Sequence, residues 1–274
     1  MGIIKLEPII KNNPWGGSLL KQQGFCDVDE KVGEIWGVSD FEEFPILMKI
    51  IGAEDDLSIQ VHPDDEYARA NENEPNGKTE CWYILSCDED SSIVLGHTAQ
   101  TKEELNEKVS NNEWNELLYE IPVHKGDFYY IEPGTIHSIR GGITLLEIQQ
   151  KSDTTYRLYD FDREYGGKKR ELHLDKALDM AKAPYQESKH NKKSQQGEET
   201  ILCNSEMFLI KRIETKGGKN VSVAETFAGI AVIDGEGSIN DTKVKKGDFL
   251  ISTPDTVELD CKGDMTIIVS SYNR

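Results

Sequence analysis

A glutamine, two histidines and a glutamate in the first half of the chain have the types and spacing to hold a metal ion. The stretch "LSIQVH" (57–62) reads as a buried strand, yet Gln60 and His62 stand two residues apart. They therefore share one face, with Ile59 and Val61 on the other. Glu80 leads into the apolar run "CWYIL", and His137 ends the turn "PGTIH". Two imidazoles and a carboxylate suit Zn²⁺, a carbonyl oxygen from Gln60 is a weak fourth ligand, and such a set leaves a position open for water or substrate. Either histidine alone reads as a satisfied core residue. The four together, with His137 on a turn that recurs later in the chain, favour a metal site.

Cations accompany these residues. Lys49 lies on the strand before "LSIQVH", and Lys78 stands two residues ahead of Glu80, on the same side of an extended segment. Arg157 sits inside "SDTTYRLYDFDR", an alternating, half-buried strand pattern. A buried arginine takes an acidic partner as a rule, here Asp153 or Asp160. The functional alternative is a clamp for a phosphate or an enediolate, which the planar guanidinium contacts bidentately. Charge alone does not choose between them. Glu34 and Trp36 of "GEIWGVSD" suit the mouth of a barrel, although a packed Trp is the default, and His97, His124, His173 and His190 read as surface or cap residues.

Short β-type runs must position all of this: "PILMKII", "LSIQVH", "CWYIL", "SSIVLG", "DFYYIEP", "TLLEIQ" and "TYRLYDF", then "MFLIKRI", "GIAVIDGEGSI", "DFLISTP" and "MTIIVSS". Turn residues separate them at the spacing of a sandwich or barrel. Helical pieces are few. "TKEELNEKVSNNEWNELLYE" opens on the capping-box pair Thr101 and Glu104 and reads as one helix, with "DDEYARANEN" and "LDKALDMAKA" as shorter ones. An internal repeat sets the architecture: "VHKGDFYYIEPGTIH" (123–137) aligns without gaps on "VKKGDFLISTPDTVE" (244–258). Two copies of a barrel hairpin imply an all-β chain of two jelly-roll barrels with a few short helices. The expected division is a catalytic barrel over 1–184, a polar linker over 185–199 and a second barrel over 200–274. The second copy has Glu258 where the first has His137 and lacks any "QVH", so the chemistry belongs to the first barrel.

With 274 residues the chain can bury a proper core. A net charge of −19 excludes nucleic acid and anionic membranes as partners, and makes a cationic pocket necessary for any anionic substrate. No apolar run approaches a membrane span, and the start "MGIIKLEPII" lacks the features of a secretory leader. Five cysteines without a CxxC leave one unpaired in any disulfide scheme, so reduced thiols in the cytoplasm are expected. Nothing in the sequence specifies an oligomeric state.

"SIQVHPDD", "GKTECWYIL", "GDFYYIEPGTIHSI" and "LLEIQQKSDTTYRLYDFDR", with "NPWGG", "GEIWGVSD" and "RELHLDKAL", resemble the short bacterial form of the type I mannose-6-phosphate isomerases over nearly the whole chain. The resemblance implies a zinc-dependent cupin enzyme, with one Zn²⁺ per chain, that interconverts mannose 6-phosphate and fructose 6-phosphate through a cis-enediol(ate). It assigns zinc to Gln60, His62, Glu80 and His137, the essential arginine to Arg157, and pocket positions to Lys49, Ser58, Lys78, Glu147 and Asp153. Lys78, Glu147 or a zinc-bound water meets the need for a base, and a lysine in that role requires a depressed pKa. Two departures stand out. The chain runs directly through "WGVSDFEEFPILMKI", where relatives carry a substantial helical segment, and Gly77-Lys78-Thr79-Glu80 replaces the His-Lys-Pro-Glu of long members. Two other classes fit the same residues: a non-catalytic sugar-phosphate-binding cupin, and a cupin enzyme of another reaction class such as a metal-dependent oxygenase.

Overall fold

Alternation along the strands sorts the side chains into layers. The computed structural model describes residues 2–273 except 42, 196, 224 and 225. A six-stranded antiparallel sheet runs in the order Pro8–Lys11, Glu34–Gly37, Ile46–Ala53, Ile143–Gln150, Glu80–Cys87, Phe128–Ile131. A five-stranded sheet runs Tyr156–Tyr159, Ile59–Val61, His137–Ile139, Ser92–His97, Leu118–Pro122. Ile84, Ile143 and Leu145 of the first meet Ile93, Leu95 and Ile139 of the second in one apolar cluster. Ile59 and Val61 point the other way, into a cluster with Leu105, Val109, Leu117 and Ala177.

The opposite face of the six-stranded sheet carries Met48, Cys81, Tyr83 and Ile148, which pack with Leu202, Phe208, Ala231 and Ile268. Those residues belong to an eight-stranded sheet built largely from the last third of the chain, whose own interior holds Ile230, Val232, Leu250 and Ile267. The N-terminal strand Ile3–Lys5 pairs with Phe249–Ser252 and so joins this sheet.

The long helical pattern ends early. Helix Lys102–Ser110 starts at Thr101, whose side chain accepts the Glu104 amide, and a second piece covers Trp114–Leu117. Asn112 at φ +58° breaks the first helix. The remainder, Leu118–Pro122, is an edge strand paired with Ser92–His97, because sheet pairing outweighs a weak local preference. The two other expected helices are found as Asp65–Asn71 and Leu174–Met180. Along the polar stretch 185–199, Lys192 exchanges backbone hydrogen bonds with Phe128, and the Gln195 amide donates to Gly126. Among the described residues no helix is long and apolar enough to cross a membrane.

Candidate metal centre and substrate cavity

Where the inner layer turns polar, His137 lies directly opposite Gln60, and Gln60 directly opposite Arg157 on the next strand. Opposed residues in an antiparallel pair project from the same face. The row His137–Gln60–Arg157 therefore faces inward. The six-stranded sheet presents its own row, Trp36–Lys49–Glu147–Trp82, with Glu80 two residues before Trp82. His62, Glu80 and His137 converge, with candidate ligand atoms all within 4.8 Å of one another.

The imidazoles are aimed. His62 Nδ1 is 2.9 Å from the Thr154 carbonyl and His137 Nδ1 is 2.8 Å from the Thr135 carbonyl. A carbonyl can only accept, so each Nδ1 carries the proton and each neutral ring turns an Nε2 lone pair inward. Those Nε2 atoms lie 3.1 Å apart, and each is 3.4 Å from an oxygen of Glu80. Both Glu80 oxygens are buried and, among the described residues, make no hydrogen bond, with the Lys78 ammonium 3.1 Å from Oε2. Three lone-pair groups facing one another in a buried space repel unless a cation lies among them, so this donor set fits zinc.

Burial, with the Lys78 charge adding to it, pushes the His62 pKa down to about 4, and burial also lowers that of His137. Both rings are thus in the ligating form at neutral pH. For Glu80, burial opposes the charge, but the Lys78 ammonium at 3.1 Å outweighs it and holds the carboxyl well below its usual range. Gln60 Nε2 lies 3.4 Å from His137 Nε2 and Ser58 Oγ donates to Gln60 Oε1 at 3.3 Å, so Gln60 offers its oxygen to a metal here only with the amide turned over.

A cavity of about 290 Å³ adjoins this group, lined by Ser58, Gln60, Lys49, Lys78, Glu147, Asp153 and Arg157 among others. Five cations (Lys11, Lys49, Lys78, Arg157, Arg170) and three carboxylates (Glu34, Glu147, Asp153) line it, which leaves two positive charges in excess in a strongly acidic protein. Lys49 pairs with Asp153 at 2.9 Å and with Glu147 at 3.4 Å, and Lys78 lies 3.7 Å from Glu147. Glu147 Oε2 accepts from Trp82 Nε1 at 3.2 Å, while Oε1 is buried without a hydrogen bond. Burial first, then the charge of Glu80, raises the Glu147 pKa above the ordinary carboxylate value. Lys78 departs from the expected depression: burial lowers its pKa, but Glu147, Glu80 and Asp153 outweigh it and hold the ammonium protonated.

All ten residues singled out in the sequence lie in the triad or line the cavity. Glu34 and Trp36 line it too, with Trp36 donating to Glu34 and Lys49 seated 4.3 Å above the Trp36 ring. Neither expected partner pairs with Arg157: Asp153 binds Lys49, and Asp160 binds Arg163 and Arg170. Among the described residues Arg157 has no carboxylate within ion-pair distance, because both acids meet nearer cations first. His97 is buried, not a surface residue, and its Nε2 bonds the Lys182 carbonyl at 2.8 Å.

Sequence reasoning passed over two contributors. Trp82 holds Glu147 and sets its ring edge-on to His137 at 5.4 Å; its place two residues after Glu80 was the available signal. Gly77 lets "GKTE" close on the chain after His62, since a Cβ there would fall 2.3 Å from the Asp64 carbonyl carbon. The Lys78 amide then donates to Pro63 at 2.9 Å, which brings Lys78 and Glu80 to the histidine.

Facing antiparallel sheets with an inward His–Glu–His set give a cupin fold with a candidate metal centre. The model of phosphomannose isomerase type I, catalytic domain, matches residues 11–81. The chain is 37% identical to the mannose-6-phosphate isomerase ManA of Bacillus subtilis (strain 168) over 305 residues, covering 96% of this chain and 97% of that protein. The crystal structure of the mannose 6-phosphate isomerase from Bacillus subtilis shares the fold with a TM-score of 0.90 and 33% identity, over 99% of this chain and 100% of that one. A zinc-bound mannose 6-phosphate isomerase shares the fold at a TM-score of 0.79 and 14% identity, over the full length of both chains. The protein described here belongs to the type I mannose-6-phosphate isomerase family. The match over 305 residues exceeds the 274 of this chain, so ManA carries segments that this chain lacks.

Proposed function

We propose that the protein is a zinc-dependent aldose–ketose isomerase interconverting D-mannose 6-phosphate and D-fructose 6-phosphate. One zinc per chain would be held by His62, Glu80, His137 and the carbonyl oxygen of Gln60. The observation that carries this reading is the convergence of three buried lone-pair groups beside a cation-rich cavity in a protein of charge −19.

Isomerisation moves a proton between C2 and C1 through a cis-enediol(ate). Zinc held there would supply Lewis-acid stabilisation of the negative charge that develops on the sugar oxygens. Glu147 is the proton carrier in this scheme, since a carboxylate raised above its ordinary pKa is a better base than an exposed one. Lys78 keeps its proton and steadies negative charge on the Glu147 side of the cavity, and Arg157 offers its guanidinium to the substrate's phosphoryl group at the other end. Lys49, Ser58 and Asp153 orient the sugar hydroxyls, so that binding energy distant from the reacting carbons fixes their geometry. We also propose that 1–184 acts as the zinc-binding unit, 185–199 as the connecting segment and 200–274 as a metal-free unit that shields it.

A coupled assay of mannose 6-phosphate turnover on zinc-replete protein tests the reading. Turnover lost to a chelator and restored by zinc is the expected result. Zinc-replete, folded protein without turnover overturns it.

A further inference from the structure

We propose that Arg170 is a substrate-binding residue of this cavity: with Arg157 it forms a clamp of two guanidinium groups for the dianionic phosphoryl group of the sugar phosphate, held in place by Asp160. The proposal rests on the isomerase reading and adds a residue to it.

The row His137–Gln60–Arg157 gives the cavity a direction. Neighbouring strands lie about 4.8 Å apart, so Arg157 stands roughly 10 Å from the His137 strand. If C1 and C2 sit at the triad end, an extended six-carbon chain carries its phosphoryl group toward Arg157 and past it.

What lies beyond Arg157 is the chain returning from the hairpin Glu164–Tyr165/Lys168–Lys169. It runs along the outer edge of Tyr156–Tyr159. The His173 amide donates to the Arg157 carbonyl at 2.8 Å, the Arg157 amide donates to His173 Nδ1 at 3.2 Å, and Arg157 Nη1 donates to the Glu171 carbonyl at 3.1 Å. Arg170, one residue before Glu171, thereby enters the lining of the same cavity.

Charge at this end is unbalanced in favour of an anion. Asp160 is buried and binds Arg170 through two contacts, Nε at 2.7 Å and Nη2 at 2.5 Å, while also accepting Arg163 Nη2 at 2.7 Å. One carboxylate is thus shared between two guanidinium groups. Arg157 adds a third that has no carboxylate partner among the described residues, and its Nε is buried without a hydrogen bond. The lysines deeper in the cavity are committed to Asp153, Glu147 and Glu80. Two planar donors fixed at the rim match the several acceptor oxygens of a phosphate better than mobile ammonium groups do.

The test titrates inorganic phosphate into zinc-replete wild type, Arg170→Met and Lys169→Ala by calorimetry, and measures kcat and KM for mannose 6-phosphate on each. Lys169 is exposed on the neighbouring hairpin strand and serves as the control. Arg170→Met is expected to weaken phosphate binding and raise KM tenfold or more, with kcat falling by a smaller factor, while Lys169→Ala changes neither. Asp160→Asn, which keeps both arginines but loosens them, should give an intermediate rise in KM. Wild type that does not bind millimolar phosphate, Arg170→Met with wild-type phosphate affinity, or a loss in kcat with KM unchanged each overturns the clamp. Should Arg170→Met fail to fold, Arg170→Lys carries the decision, and wild-type phosphate affinity in folded Arg170→Lys overturns it equally. Arg170-dependent phosphate binding in a wild type without turnover would uphold the clamp and reject the isomerase reading.

Discussion

In 123–137 and in 244–258, a glycine at φ +91° (Gly126 and Gly247) turns the chain so that its amide donates at 2.9 Å to the neighbouring strand, at Ile84 and Val232 respectively. An aspartate then closes each turn: Asp127 accepts the His124 amide at 3.0 Å, and Asp248 accepts the Lys245 amide at 2.7 Å. Phe128 and Phe249 follow, both buried. The backbones agree and the chemistry does not. His137 is fully buried and opposed to Gln60, whereas Glu258 is exposed and opposed to Ser222. Among the described residues of the last sheet, the interior cluster is apolar, from Ile213 to Val269, and the sheet also has fully buried serines but no histidine. A repeated turn thus fixes where a strand begins, while the residues on the strands beside it decide whether that place can do chemistry.

The comparison is broken most severely by removing the donors. His62→Ala/His137→Ala should abolish zinc binding and turnover, because ligand number and geometry set affinity; elemental analysis reads the metal. The reciprocal change, Glu258→His, should bind no zinc, since a single exposed imidazole has no partner ligands.

A chain ending near Pro184 is expected to aggregate or lose zinc. It would expose Phe44, Met48 and Ile148, which pack against Leu202, Phe208 and Ile268. At about 1.5–3 kcal/mol per large side chain, that loss is comparable to the stability of a whole domain. Size-exclusion chromatography with metal analysis checks it, and a soluble, active fragment contradicts the structural role of the second unit.

Acidification should act on the first unit through His62. His62 titrates near 6.5 when unfolded and is pushed down to about 4 when folded. The unfolded state therefore binds the proton first, and stability present above pH 6.5 declines as pH falls toward 4. The size is on the order of 3 kcal/mol. Denaturant unfolding of zinc-free protein at pH 7.5 and 4.5 measures it, and His62→Ala should flatten the slope.

Arg157→Lys keeps the charge yet should lower kcat/KM about tenfold or more, because a lysine cannot copy the bidentate contact of a planar guanidinium with a phosphoryl group. Near-normal kinetics in folded Arg157→Lys would return Arg157 to a structural role. The smallest effect belongs to Glu258→Gln, which should leave zinc content and turnover unchanged and stability within about 0.5 kcal/mol, as for other exposed positions.

Much of the candidate site was legible because strand alternation is a local rule. It put Gln60 and His62 on one face opposite Ile59 and Val61, and the layers follow that division. The polar facing row was not legible as a row. Lys49 meets Glu147, and Glu147 meets Trp82, through registers between strands almost a hundred residues apart in the first case. The edge strand Leu118–Pro122 escaped notice for a related reason, since its helical pattern is local and its partner Ser92–His97 is not.

By itself, the amino-acid sequence determined an all-β chain with a repeated glycine turn, the types of the candidate metal ligands and the faces they occupy. These follow from backbone sterics and the two-residue period, which act between near neighbours. Tertiary structure alone decided which lone pairs converge, which acid neutralises which cation, and that Arg157 is left without a carboxylate among the described residues while Arg170 joins it at the cavity. Those outcomes depend on distances set by sheet closure, and Coulomb interactions between buried groups are decided at that range.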